Sequence, residues 1–365
     1  MKVGVEVEYW VIDEAGALTD GRELAETHEY VEPEFVAPLI EIQTPPVDSE
    51  AALRDALQST LRGVLESATT QNKRLVPLGT PLTRHSSPAT SERGRLLERI
   101  YENGLDPAKQ CAGTHIHFDT ERATRQMNLL TGLDPALALV SSSPCYDGIR
   151  AMDSSRAYAY RHRCGDSFVQ FRDLWEYTPS VADWQVRLAR SYGEFRTLAV
   201  ERGVTDHEFR QYFQPENTVM TPIRLRSQPP TVEWRAPDTA LPSQVVALTS
   251  NMLRLVEQTT SKRVEIGAPG IYSDRICVPE FETLTQLTTA AIRDGLNAPA
   301  VTSYLEAMGF VPAEYMPISA EIRCPSLLSE REARRIRLDY ADRLARDVEA
   351  LATGVTRNQP LRPLG

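Results

Sequence analysis

The sequence predicts an α+β domain whose C-terminal third is mostly helical. Two observations lead there. Short runs rich in β-branched and aromatic residues alternate with period two at 3–12, 39–44, 75–79, 114–119 and 231–236. Longer runs between and after them carry apolar residues at helical spacing. No internal repeat, low-complexity block or linker interrupts the chain, so residues 1–355 are expected to form one catalytic domain. The proline- and glycine-bearing segment 356–365 is expected to be a loose tail.

The strand at 3–12 ends in the turn Asp13-Glu14-Ala15-Gly16, and the strand at 39–44 is stopped by Pro45-Pro46. A helix then begins at Asp48 or Ser49, both good caps, with Leu53, Leu57, Leu61 and Leu65 along one face. Residues 92–103 read as a helix ending at Gly104, and two helical stretches flank Asp134-Pro135, a cap followed by a first-turn proline. Residues 181–202 form a long amphipathic helix closed by Gly203, and 242–260 another. Ser329 and Glu332 make a capping-box pattern before a helix running to about Leu351.

Composition narrows the function. The chain has 365 residues and a formal net charge of −10, which argues against a general nucleic-acid or anionic-membrane binder. No apolar run approaches the roughly 20 residues of a membrane span. The N-terminus enters a charged strand at once, unlike a signal peptide. Five cysteines without CxxC or zinc spacing fit a reducing compartment. A cytoplasmic protein acting on small molecules is expected, and the composition is compatible with a homo-oligomer.

The informative feature is which residues share strand faces. Side chains alternate across a strand. Glu6 and Glu8 therefore lie opposite Val5 and Val7, and Glu41 and Gln43 opposite Ile40 and Ile42. His115 and His117 lie opposite Ile116 and Phe118, and Glu233 and Arg235 opposite Val232 and Trp234. Any one polar face could simply meet solvent. Together the four carry glutamates, histidines and an arginine, with no lysine and few hydroxyls. Clustered carboxylates repel one another unless a cation neutralises them. Carboxylates with an occasional imidazole suit Mg²⁺ or Mn²⁺, and a curved sheet turning these faces inward would make a metal-lined funnel. Phosphate loops, dinucleotide fingerprints, HExxH and GxSxG are all absent.

Several of these segments form a recognisable series. Gly4-Val5-Glu6-Val7-Glu8-Tyr9-Trp10, Cys111-Ala112-Gly113-Thr114-His115-Ile116-His117, Ser141-Ser142-Ser143-Pro144 with Ser154-Ser155-Arg156, and Ile223-Arg224 followed by Thr231-Val232-Glu233-Trp234-Arg235 and Asp238 lie in order along the chain. They resemble the motifs of the second type of glutamate–cysteine ligase family, which includes the carboxylate–amine ligases. The resemblance covers residues 3–248 and is loose beyond them. It implies a glutamine-synthetase-like fold, with a curved antiparallel sheet, helices on its convex side, and Mg²⁺ and ATP on the concave side. By position it implies Glu6, Glu8, Glu41, His115 and Glu233 as metal ligands, with His117 either a ligand or an orienting residue. Arg224 and Arg235 would face phosphate. Arg156, Arg161 and Arg226 are candidates for the nucleotide, Arg156 and Arg161 being equally readable as partners of nearby acids. Where the family often has three consecutive acids, Val7 stands in the middle here, and alternation points it away from the other two.

The implied reaction joins glutamate and cysteine through an acyl phosphate made from ATP. A related ligase using another acid or amine is the runner-up. A non-catalytic metal- or nucleotide-binding protein and a metal-dependent hydrolase are the remaining alternatives.

Overall fold

A computed structural model describes residues 1–168 and 172–352 of the chain. The expected tail at 356–365, and the end of the domain at 355, lie outside the described residues. Seven strands form one sheet in which every pairing is antiparallel. Six run across it in the order Val31–Pro33, Leu39–Gln43, Val3–Asp13, Thr114–Asp119, Pro230–Trp234 and Ile223–Ser227. The seventh, Lys73–Val76, pairs with the distal end of Val3–Asp13. Trp10 is paired with Leu39 on one side and Val76 on the other, so the first strand is central along its whole length.

The predicted alternation holds in that strand. Val3, Val5, Val7 and Tyr9 are fully buried, while Gly4, Glu6 and Glu8 between them are only partly so. The apolar face packs into one large core with helices Glu50–Thr70, Pro242–Gln258 and Glu330–Ala352. Leu53, Leu57 and Leu61 line the core side of the first of these, as their spacing predicts. Ser49, rather than Asp48, caps it, accepting a hydrogen bond from the Ala52 amide at 3.3 Å, a contact type worth about 1 kcal/mol.

Helices do not cover the apolar face alone. A second, separate apolar cluster joins residues 96–105, Phe168 and residues 195–213 around Phe195, Phe209 and Phe213. Its members Leu97 and Leu105 line a cavity together with Glu6 and Glu8, so this cluster roofs the polar face of the sheet. This cover comes in addition to the helices packed on the apolar side. Amphipathic helices that find no room on the first core bury their apolar stripes against one another.

Other expectations shift locally. Helix Glu92–Tyr101 ends where Glu102 takes φ +50°, not at Gly104, which instead lets the chain approach Gly165. Asp134 caps no helix; it is buried beside Arg161 at the start of a 3₁₀ turn. The strand expected at 75–79 ends at Val76. The C-terminal third contains a small sheet of Arg263–Ile266, Arg275–Val278 and Gly270–Ile271, strands of two to four residues, too short to carry a clear periodic signal. Cys145 and Cys324 are paired as a disulfide, whereas Cys111, Cys164 and Cys277 are free. No described helix is long and apolar enough to cross a membrane.

The C-terminal helix is clasped to the N-terminal half by Arg337, which is 2% exposed. Its guanidinium donates to the carbonyls of Pro81 (2.8 and 3.0 Å) and Gly16 (3.0 Å), to the Thr83 hydroxyl and to Glu330. The Ser329–Glu332 capping box forms as expected at the start of that helix. Arg337→Ala leaves the Pro81 and Gly16 carbonyls without this donor and takes one cation from Glu330, which keeps Arg334 and Thr83. The change should cost roughly 3 kcal/mol, read as a lower urea midpoint at unchanged m-value.

Candidate active site

Register, more than chain order, assembles the site. Glu8 lies directly opposite Glu41, and Glu41 opposite Glu32 on the next strand. Glu6 lies opposite His115, His117 opposite Glu233, and Glu233 opposite Arg224. The polar residues thus form a continuous band across the sheet. Side-chain distances are short: His115 Nδ1 is 3.1 Å from Glu6 Oε2, and His117 Nε2 is 3.2 Å from Glu6 Oε1. His115 Nε2 is 3.8 Å from Glu8, and His117 Nε2 is 3.8 Å from Glu233. Glu6, Glu8, Glu32, Glu41, His115 and Arg224 of this band line a cavity of about 680 Å³, with His117 and Glu233 set behind them.

Three groups of side chains can each offer ligand atoms within 4.8 Å of one another: Glu6, Glu41 and His115; Glu6, His117 and Glu233; and Glu8, Glu34 and Glu41. Electrostatics within them are unbalanced. Burial, followed by repulsion from Glu6, Glu34 and Glu8, pushes the Glu41 carboxyl well above the ordinary range. Burial and the Glu34 charge push Glu8 up to about 8, and burial raises Glu34 as well. Burial also opposes the charge of Glu6, yet the adjacent His115 and His117 imidazoles hold it below the ordinary range. Burial, with Arg235 adding to it, lowers His115 to about 4, so its imidazole is neutral at pH 7.

These residues fit a hard divalent cation. Neutral imidazole and carboxylate oxygens are its ligand types, and a cation would offset the burial and the repulsion that hold Glu8 and Glu41 up. One further observation agrees: the buried Nε2 of His117 makes no hydrogen bond, although Glu6 is 3.2 Å away. A buried nitrogen left in this way is poised for a ligand other than a hydrogen-bond donor.

The arginines divide by partner. Glu233 is fully buried and receives Arg224 in a two-point contact (2.7 and 3.0 Å), with Arg235 closing on its other side. Burial opposes ionisation of Glu233, but Arg235 and then Arg224 hold it below the ordinary range. Arg226 stands 3.9 Å from the same carboxylate and lines the cavity. Glu233 therefore has a double character: it belongs to a possible ligand group and anchors three arginines.

Arg156 and Arg161 take different places. Arg161 gives both terminal nitrogens to Asp134 (2.7 and 2.9 Å), and Thr288 also donates to that carboxylate. Of the two sequence readings, its geometry is that of the acid pair, with only its flank on the cavity wall. Arg156 donates to the carbonyls of Arg235 (3.2 Å) and Ala236 (3.0 Å) and packs on Gly113. The Gly113 amide in turn donates to Glu8 at 2.6 Å. Arg156 thus supports the segment that holds Glu8. A Cβ at Gly113 would lie 2.2 Å from Arg156 Nη2, which accounts for glycine here.

Glu34 was not among the residues singled out in the sequence. Glu32-Pro33-Glu34 carries the same alternation as the other strands, but a proline inside so short a run argues against a strand. The proline is accommodated because Val31–Pro33 lies at the sheet edge.

An antiparallel sheet bearing clustered acids and histidines beside grouped arginines is the frame of the site. Over residues 2–363 the chain matches the model of glutamate-cysteine ligase family 2, and it belongs to that family. It is 27% identical over 325 residues to a glutamate–cysteine ligase of Natronomonas pharaonis, covering 83% of this chain and 80% of that one. The fold is similar to that of the Francisella tularensis glutamate–cysteine ligase, solved in complex with AMP (TM-score 0.52, 14% identity, 96% of this chain and 78% of that one). It is equally similar to that of a bifunctional glutathione synthetase from Pasteurella multocida (TM-score 0.52, 14% identity), of which this chain, 96% covered, spans 53%.

Two outcomes separate the roles assigned above. Arg161→Met strands the buried Asp134 charge and should lower stability by roughly 3–5 kcal/mol, seen as a lower Tm, while the KM for ATP of the folded fraction stays within twofold. Glu41→Gln should weaken Mn²⁺ binding at least 10-fold in equilibrium dialysis, at an unchanged circular-dichroism spectrum.

Proposed function

We propose that the protein is an ATP-dependent ligase that joins the γ-carboxylate of glutamate to the amine of cysteine, releasing ADP and phosphate. The observation that carries this reading is the juxtaposition of Glu233, bearing Arg224 and Arg235, with the acid and histidine groups of Glu6, Glu8, Glu41 and His115. Family membership and the relatives' activities support the choice of reaction and substrates.

A carboxylate is a poor electrophile because its charge is delocalised. Transfer of the γ-phosphoryl group of ATP to a carboxylate oxygen gives an acyl phosphate, whose phosphate is a good leaving group. The amine then attacks the carbonyl carbon and phosphate departs. Phosphoryl transfer needs positioning and charge neutralisation more than covalent help. Arg235 meets that need: despite burial, the Glu233 charge raises its pKa above the ordinary value, so it remains a cation throughout. Fixed by Glu233, Arg224 and Arg235 form a rigid platform for phosphate oxygens, matched to their geometry. Arg226, half-exposed beside them, extends the platform toward the nucleotide. Mg²⁺, or Mn²⁺, would be held by Glu6, Glu8, Glu41, Glu233 and His115, with Glu34 added from the structure, and supplies further neutralisation of phosphate charge when bound. The apolar roof limits water, which would otherwise hydrolyse the acyl phosphate.

The test is direct. Incubation with ATP, Mg²⁺, glutamate and cysteine should release ADP in step with a product of γ-glutamylcysteine mass. ADP release only with another acid or amine would move the reading to a related carboxylate–amine ligase. No turnover across an amino-acid panel, despite ATP binding, would defeat an enzymatic reading. Glu233→Gln, which loosens both the arginine platform and the ligand group, should lower kcat at least 100-fold with the fold retained.

A further inference from the structure

We propose that Arg93 is the receptor for the α-carboxylate of an amino-acid substrate, and so a specificity-determining residue of the ligase reaction set out above, on which this inference rests. Arg93 lies in the first turn of the helix Glu92–Tyr101, on the roof of the main cavity and facing the acid band. No sequence motif marks it.

Most other cations in that cavity have an acidic partner, the exception being Arg156, whose Nε is likewise buried without a hydrogen-bond partner. Arg224, Arg226 and Arg235 converge on Glu233, Arg161 on Asp134, and Lys109 on Glu98 (2.7 Å). Arg172 lies 3.7 Å from Asp173, and Arg156 is held by two backbone carbonyls. Arg93 donates from Nη2 to the Asn217 carbonyl at 2.6 Å, and its Nε is buried without any hydrogen-bond partner. Among the described residues it forms no ion pair. Burial penalises this partly buried guanidinium, and chiefly the nearby Glu34 charge opposes that, without an ion pair. Such a cation is costly, and a ligand anion would relieve that cost.

Two further points identify the anion. Arg93 is held in place, with its guanidinium carbon 5.7 Å from the centre of the Phe213 ring and one nitrogen tied to Asn217. A single fixed fork of N–H groups matches one carboxylate. The adjoining cavity wall is apolar, formed by Phe35, Leu97, Leu105 and Met220. Methylene groups suit that wall, whereas a triphosphate would leave its oxygens unsolvated there. The phosphate-binding arginines lie on the sheet, across the cavity. Glutamate carries two carboxylates, and only one may be activated. A cation on the roof that captures the α-carboxylate leaves the γ-carboxylate free to reach the acid band and the arginine platform. Cysteine brings the same α-carboxylate chemistry, so the two substrates are separate arms of the test.

The experiment measures KM for glutamate, cysteine and ATP in the wild type, Arg93→Met and Arg93→Lys. Isoglutamine, with an α-amide, and cysteamine, with no carboxylate, serve as paired analogues. Loss of a charged hydrogen-bonded contact should raise the KM of one amino acid about 10- to 100-fold in Arg93→Met. The KM for ATP should not change, and the lysine variant should recover part of the loss. The preference of the wild type for that amino acid over its analogue should collapse in the methionine variant. A rise confined to the ATP KM would assign Arg93 to the nucleotide and overturn the inference. Unchanged KM values and an unchanged preference would also overturn it. Failure of the wild type to use glutamate and cysteine would instead defeat the proposed reaction itself, a distinct result. The unchanged ATP KM shows that any effect is not loss of fold.

Discussion

Mutual repulsion among carboxylates on one face of a sheet is the constraint around which this protein is arranged. Antiparallel pairing places Glu8 against Glu41 and Glu41 against Glu32. Such like-charge pairs across a ladder destabilise a sheet. The opposite face compensates: Val3, Val5, Val7, Ile40, Ile42, Ile116 and Phe118 are all buried, and each large apolar side chain so buried contributes about 1.5–3 kcal/mol. Stability is concentrated on one side of the sheet, which allows the other to carry a charge arrangement that no stable soluble surface would need.

The arginines complete this balance without cancelling it. Glu233 is neutralised by Arg224 and Arg235, so it remains charged although buried. Glu8, Glu34 and Glu41 have no comparable partner and are pushed toward the protonated state. One end of the band therefore holds paired charge and the other holds acids awaiting a cation. That polarity follows from the register, and under the proposed reading it offers phosphate and metal neighbouring places that meet at Glu233.

Period-two alternation made much of this legible in the sequence. It places Glu6, Glu8, Glu41, His115 and Glu233 on one face because each strand hides branched or aromatic residues on the other. It could not reveal Glu34, which follows the short strand Val31–Pro33 just past its closing proline, nor Arg93, which reads as one more polar position on an amphipathic helix. Arg161 was ambiguous for a different reason. Its partner Asp134 lies 27 residues away and resembles a helix cap. Only tertiary packing shows that the two are buried together. The roof was also hidden: a helix's apolar stripe says that it is buried, not against which neighbour, and here two clusters divided the helices between them.

That division has a consequence for motion. The cavity lies on a seam between two apolar clusters that share no core residue. Partly buried Phe35 packs against both clusters, so parting the seam would give up its contacts while leaving most of each cluster's own packing in place. Substrate that bridges the seam would add contacts across it. Binding would then tighten the weakest boundary of the molecule, and the same act that fills the cavity would shut out water.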